Sequence, residues 1–121
     1  MKHTRILIAE SDYAVRIGFE AIIAAHGADV TTAASADEAA QAAPTFHPDA
    51  VIASGGAGGL GCIAGVRAVT RDDLPALLLT GDPSPELPEE ARGAGVSFLA
   101  KPAAVETLIR TLRGLTAAPA A

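Results

Sequence analysis

Polar side chains that could carry phosphoryl or metal chemistry follow four short apolar runs of this sequence. Phosphoryl transfer to a protein needs a carboxylate nucleophile, a hard cation held by oxygen ligands, and donors for the phosphoryl oxygens. Carboxylates, hydroxyl groups and an ammonium group all stand at the ends of these runs. The residues are Glu10, Ser11 and Asp12 after the first run, Ser54 and Thr80 at the ends of two middle runs, and Lys101 after the last.

The apolar runs alternate with helical patterns, and this order predicts βαβ units and a parallel sheet. Ligands of doubly wound sheets bind at the carboxyl ends of the strands, so we expect these polar residues to meet at one edge. The predicted strands are 5–9, 28–33, 50–54, 76–80 and 96–100. With only 3% aromatic residues, the core must consist mainly of Ala, Val, Ile and Leu.

Caps, glycines and prolines predict where the five helices begin and end. Asp12 can cap the first helix, whose Val15, Phe19, Ile22 and Ile23 fall on one face. Ser35 with Glu38 forms a capping box for the second helix. The predicted helix ends are Gly27, Pro44, the 93–95 segment and Gly114, and Pro102 is expected in the first turn of the last helix. The third helix is expected at about 62–69, after a glycine-rich loop. One domain should span 1–115, with a flexible tail or linker root over 116–121.

Composition excludes several classes of function. A net charge of −5 argues against binding a nucleic-acid backbone, and no apolar run approaches the length of a membrane span. Cys62 is the only cysteine, which fits a reducing cytoplasm, and neither it nor the three histidines stand at zinc-ligand spacing. We expect a cytoplasmic protein in which Cys62 is a small buried apolar residue.

The segment 94–102, Ala-Gly-Val-Ser-Phe-Leu-Ala-Lys-Pro, stands at the right distance after Thr80 to resemble the receiver domain of two-component response regulators. The resemblance covers about 5–112 and implies a flavodoxin-like, CheY-like fold with five helices and strand order 2-1-3-4-5. It also implies that Thr80 and Lys101 contact a phosphoryl group, that Phe98 is the switch aromatic, and that Pro102 is a candidate for a cis peptide bond.

Two departures from the receiver pattern change the expected chemistry. Receiver domains use two acidic residues after the first strand to hold Mg²⁺ and an aspartate after the third strand as phosphoacceptor. Here Glu10 matches the first acid, but Ser11 replaces the second and Ser54 replaces the acceptor. A serine hydroxyl has a very high pKa, and the sequence shows no general base beside it, so it cannot replace the aspartate.

These departures predict a degenerate receiver, or pseudo-receiver, that signals by protein–protein interaction and is not an enzyme. We expect Lys101 to pair with Glu10 and Asp12 to serve as a helix cap. Weak or no Mg²⁺ binding follows, with Glu10 and Asp12 as the remaining candidate ligands. The expected partner is a histidine kinase, an output domain or another signalling protein.

Two alternatives remain open at this stage. Gly56 to Gly61 satisfies a G-x-G-x-x-G pattern, and Asp82 follows at about the ribose-binding distance, which would suit a nucleotide or phosphate sensor. The second alternative is a conventional receiver domain that is phosphorylated on an unusual acceptor residue. A homodimer through the fourth helix, fifth strand and fifth helix is also expected as a possible assembly; Glu86, Glu89 and Glu90 border that surface.

Overall fold

Parallel strand pairing organises the fold, which a computed structural model describes for residues 1–55, 57–82 and 84–117. Strands and helices alternate along the chain, as the sequence predicted. The strands are β1 (Arg5–Ala9), β2 (Asp29–Ala33), β3 (Ala50–Ser54), β4 (Ala76–Thr80) and β5 (Ser97–Ala100). The helices are α1 (Tyr13–Ala25), α2 (Ala36–Phe46), α3 (Ala57–Val69), α4 (Leu87–Gly93) and α5 (Val105–Thr116).

All five strands are parallel and lie in the order β2-β1-β3-β4-β5, which confirms the predicted flavodoxin-like topology. The three central strands are buried on both faces, as strands of parallel sheets are when helices cover both sides. None of the helices in the described part of the chain is long and apolar enough to cross a membrane.

Alternate residues of the central strands feed two separate cores. On β4, Leu78 packs with residues of α2, α3 and α4, whereas Leu77 and Leu79 pack with residues of α1 and α5. On the predicted apolar face of α1, Ile23 is fully buried and Phe19 and Ile22 are partly buried, but Val15 is 37% exposed. This face is therefore buried towards the carboxyl end of the helix.

Three predicted boundaries at prolines and glycines are wrong. Helix α2 continues through Pro44 to Phe46, because its last turn is held from outside: Arg5 Nε donates to the Phe46 carbonyl at 2.6 Å and packs over the Phe46 ring. A proline inside a helix removes one backbone hydrogen bond and crowds the carbonyl four residues earlier, and the Arg5 contacts stabilise the turn that follows it. The His47 N–H then closes the helix on the Ala43 carbonyl at 3.0 Å.

Helix α5 starts later and ends later than predicted. Pro102 precedes the helix rather than forming its first turn, because Ala104 is extended (φ −66°, ψ 144°); the Lys101–Pro102 peptide bond is cis. Past Gly114 the helix continues to Thr116, since Leu115 packs against the core and the Thr116 hydroxyl donates to the Leu112 carbonyl at 2.8 Å. Thr116, the first residue of the predicted tail over 116–121, is the last residue of α5, and 118–121 lie outside the described residues.

The glycine-rich segment is helical rather than a loop from Ala57 onwards, and Gly56 lies outside the described residues. Gly59 allows α3 to approach the sheet closely. A Cβ atom at Gly59 would lie 2.5 Å from Leu78 Cδ1 and 3.3 Å from the Ser54 carbonyl oxygen. The glycines predicted to cradle a ligand therefore serve helix–sheet packing at this position.

Two glycine-to-alanine substitutions in α3 are expected to change stability in opposite directions. Gly59→Ala should lower the free energy of unfolding by about 1 kcal/mol, because the clash with buried Leu78 outweighs the gain in helix propensity. Gly61→Ala, which has open space around its Cβ position, should raise it by about 0.5–1 kcal/mol. Urea denaturation of both variants measures the difference, and equal stabilisation by both would contradict the packing role of Gly59.

Candidate functional site

The carboxyl edge of the sheet brings together the polar residues singled out from the sequence. Glu10 directly follows β1, Ser54 ends β3, Thr80 ends β4 and Lys101 directly follows β5. Because β3 lies between β1 and β4, Ser54 occupies the centre of this edge. The strand order therefore brings these four residues to the same edge of the sheet.

The Glu10 carboxylate contacts several other residues of the site. Its side chain is only 8% exposed, and its Oε1 lies 3.3 Å from Lys101 Nζ, so the predicted ion pair is present. Its Oε2 accepts a hydrogen bond from the Asp12 backbone N–H at 3.1 Å, and the Ser54 side chain provides a further hydrogen bond. A buried carboxylate needs such partners, since burial of an unpaired charge is costly.

These contacts set the charge state of Glu10. Burial raises the pKa of the Glu10 carboxyl, but hydrogen bonds with Ser54, the Asp12 backbone and Lys101, together with the Lys101 charge, lower it further than burial raises it. The net effect is a pKa below the ordinary value, so Glu10 is an anion at neutral pH. The Glu10–Lys101 pair is consequently a true ion pair.

Ser54 has a carboxylate beside it, which the sequence did not reveal. The Ser54 side chain interacts with the Glu10 carboxyl and helps to lower its pKa. A carboxylate with a lowered pKa is nevertheless a weak base for an alcohol. The arrangement suits a satisfied hydrogen-bonding network better than a nucleophile.

Thr80 ends β4, and Phe98 lies within β5. Thr80 is 2% exposed, and its hydroxyl accepts a hydrogen bond from the Asp82 N–H at 3.0 Å. The Thr80 carbonyl accepts from the Lys101 N–H at 2.8 Å, which fixes the start of the loop after β5. Phe98 is half-buried and packs against the core beneath α3 and α4.

Two candidate Mg²⁺ ligands at this edge already have partners. The Asp12 carboxylate caps α1 by accepting from the Val15 N–H at 3.0 Å, as predicted, and Ser11 is an exposed neutral residue. Within residues 1–55, 57–82 and 84–117, no three His, Cys, Asp or Glu side chains are placed to hold a metal ion. Glu10 is paired with Lys101, so a hard cation would have to compete for both carboxylates.

Sequence reasoning missed two residues of the site. Arg16 Nη1 donates to the Glu10 carbonyl at 2.8 Å, and Lys101 Nζ lies 5.9 Å from the centre of the Phe19 ring. The helical spacing of Arg16 and Phe19 on α1 gave no sign of contact with a strand end. Cys62 is buried as predicted, and burial raises the pKa of its thiol.

Solved structures of response regulators and receiver domains share the fold of this chain. This chain is similar to a candidate response regulator from Chloroflexus aurantiacus, with 29% identity, a TM-score of 0.84, and 97% of this chain and 100% of that chain covered. It is also similar to the chemotaxis protein CheY4 of Vibrio cholerae, with 27% identity, a TM-score of 0.83, and 93% and 98% covered. No protein-family model and no curated protein matches the sequence.

A third structure extends the likeness of fold. The signal receiver domain of a modulated diguanylate cyclase from Desulfovibrio desulfuricans is 24% identical, with a TM-score of 0.81 and 95% and 94% of the two chains covered. The chain therefore has the receiver-domain fold of CheY-like response regulators. The strand order agrees with that fold.

Proposed function

We propose that this chain is a pseudo-receiver: a signalling domain that acts by binding another protein and does not accept a phosphoryl group on an aspartate. The observation that carries the proposal is the serine at the centre of the carboxyl edge of the sheet. Ser54 occupies the end of β3, and the acidic cluster that would hold Mg²⁺ beside it is incomplete. The domain is accordingly proposed to have no enzymatic activity of its own.

The ion pair supports a site that is complete without phosphate. Glu10 is saturated by Lys101, Ser54 and the Asp12 backbone, and Thr80 is bonded to the Asp82 N–H. Among the described residues, no buried side-chain nitrogen or oxygen lacks a hydrogen-bond partner. Because every one of these buried polar groups is already hydrogen-bonded, the contacts of Glu10, Thr80 and Lys101 are stable without a phosphoryl group.

Exposed apolar side chains suggest where a protein partner binds, because such residues in clusters are typical of interaction surfaces. Within the described ranges, four of the five large exposed apolar residues lie on α1 or at the start of α5: Tyr13, Val15, Ile17 and Val105. By contrast, α4 presents charged residues such as Glu89 and Arg92. Tyr13 and Ile17 are four residues apart and share one face of α1, so we favour this face over α4 as the partner surface.

The nucleotide or phosphate sensor remains a second candidate with less support. The glycine-rich segment that was predicted to bind the ligand is helical from Ala57. Gly59 packs so closely against Leu78 that no room for a ligand remains between them. A conventional receiver would need an acceptor other than Ser54, and Asp49 precedes β3 at the opposite edge of the sheet.

The proposal predicts that a phosphodonor leaves the conformation unchanged. Amide spectra of the ¹⁵N-labelled domain, recorded with Mg²⁺ and a small-molecule phosphodonor, should keep the resonances of Ser54, Thr80 and Lys101 in place. The Ser54→Asp variant, treated identically, is the matched control. Shifts at the end of β3 in the native chain that require both reagents would contradict the proposal.

A further inference from the structure

A groove of about 390 Å³ lies beside the Glu10–Lys101 pair, between α1 and α5. Its volume is in the range of small-molecule sites, and such sites are mostly apolar with a few polar groups that orient the ligand. Six of its residues are Val15 and Phe19 of α1, Leu79 of β4, Ala103 and Leu108, and Lys101, which supplies the ammonium group. Sequence analysis found no sign of it, because its walls come from three separate segments.

Lys101 belongs to both the groove and the carboxyl edge of the sheet. Its Nζ lies 3.3 Å from Glu10 Oε1 and 5.9 Å from the Phe19 ring centre, and the side chain is 33% exposed. The ammonium group thus stands between a carboxylate on one side and an aromatic wall on the other. A cation bordering an apolar groove complements an anionic head group attached to an apolar body.

Lys101 is able to pair with a ligand while it keeps Glu10. An ammonium group has three N–H donors, and the contact with Glu10 Oε1 at 3.3 Å uses one of them. Because the Lys101 side chain is 33% exposed, a ligand carboxylate in the groove can approach another N–H. The ammonium group then bridges the ligand and Glu10.

We propose that this groove binds a compact apolar monoanion, such as a medium-chain or aryl-substituted carboxylate. The carboxylate pairs with Lys101, and the apolar body packs against Phe19, Leu108 and Ala103. Because Lys101 also holds Glu10, ligand binding loosens the Glu10–Ser54 network at the carboxyl edge. The inference goes beyond the proposed function and does not depend on it, because it concerns a ligand rather than phosphorylation.

Octanoate, 1-octanol and octylammonium form a matched set of probes for an NMR titration of the full chain. Octanoate should shift the amide resonances of Phe19, Ala103 and Lys101 until the site is saturated. It should also shift, by smaller amounts, the resonances of Asp12 and Ser54 at the adjoining edge of the sheet. It should bind about tenfold more tightly than 1-octanol, because only the carboxylate pairs with Lys101. Octylammonium should bind more weakly than either.

Two variants separate the head-group contact from the apolar contact. Lys101→Met keeps an apolar stem and should abolish the preference for octanoate over 1-octanol. Ala103→Phe should fill the groove and weaken the binding of both probes. Val69→Phe, at an exposed position at the end of α3, should change the binding of neither. Retained helical circular dichroism shows that each variant is folded.

Three results would overturn the inference. The first is equal binding of octanoate and 1-octanol, and the second is a preference that survives Lys101→Met. The third is a set of groove shifts that depends on protein concentration without any probe, accompanied by a dimer in light scattering. That result would assign the groove to a second copy of the chain.

Discussion

Replacing Arg67 by alanine is expected to lower the free energy of unfolding by about 2–4 kcal/mol. The guanidinium donates to the Leu74 carbonyl from Nε at 3.0 Å and from Nη2 at 2.8 Å. It also donates to the Ala94 carbonyl from Nη1 at 2.7 Å and to the Gly95 carbonyl from Nη2 at 3.0 Å. One side chain on α3 thus fixes both the loop before β4 and the loop before β5.

The planar, forked guanidinium makes this role specific to arginine. Arg67→Lys should recover less than half of the lost stability, because an ammonium group cannot reach three carbonyls in fixed directions. Arg71→Ala is the matched control, since Arg71 is 56% exposed and its nearest carboxylate, on Asp73, is 3.8 Å away. That change should cost no more than about 0.5 kcal/mol. Urea denaturation that ranks Arg71→Ala with Arg67→Ala would refute the role assigned to Arg67.

Lys101→Met is expected to lower the free energy of unfolding by about 2 kcal/mol at pH 7, because it leaves the buried Glu10 carboxylate with two donors instead of three. The partial exposure of Lys101 keeps the loss below that of a fully buried pair. Arg92→Met is the control, since the Arg92–Glu89 pair is exposed on both sides and its loss should cost at most about 0.5 kcal/mol.

The effect of Lys101→Met should depend on pH in a defined direction. The folded-state pKa of Glu10 is lowered from 4.5, so its contribution to stability is present above that value and is lost as the pH falls through the folded-state pKa. The native chain and the variant should therefore differ at neutral pH and converge below the folded-state pKa. Denaturant midpoints measured from pH 7 down to pH 3 test this, and a difference that stays constant would show that Glu10 is not involved.

The sheet was predictable because strand signals are local and topology rules are few. Runs such as Leu77, Leu78 and Leu79, flanked by glycine and proline, predict buried parallel strands, and those strands place Ser54 and Thr80 at one edge. The ion pair between Glu10 and Lys101 followed from that edge, although 91 positions separate them in the chain.

The ends of the helices and the groove between α1 and α5 could not be predicted from the sequence, because contacts between distant residues determine them. The end of α2 depends on Arg5, 41 positions before Phe46, and the helical start of α3 depends on the fit of Gly59 against Leu78. The hydrogen bond between Glu10 and Ser54 likewise depends on side-chain placement across two strands. Local propensity carries none of this information.

Intact-mass spectrometry after incubation with Mg²⁺ and a small-molecule phosphodonor tests the central claim most directly, with the Ser54→Asp variant measured alongside. The pseudo-receiver account predicts an unchanged mass for the native chain and a phosphoryl adduct on the variant, because the scaffold with Thr80 and Lys101 is retained while the acceptor is absent. A phosphoryl adduct on the native chain that disappears in Ser54→Ala would contradict the account and identify Ser54 as a working acceptor.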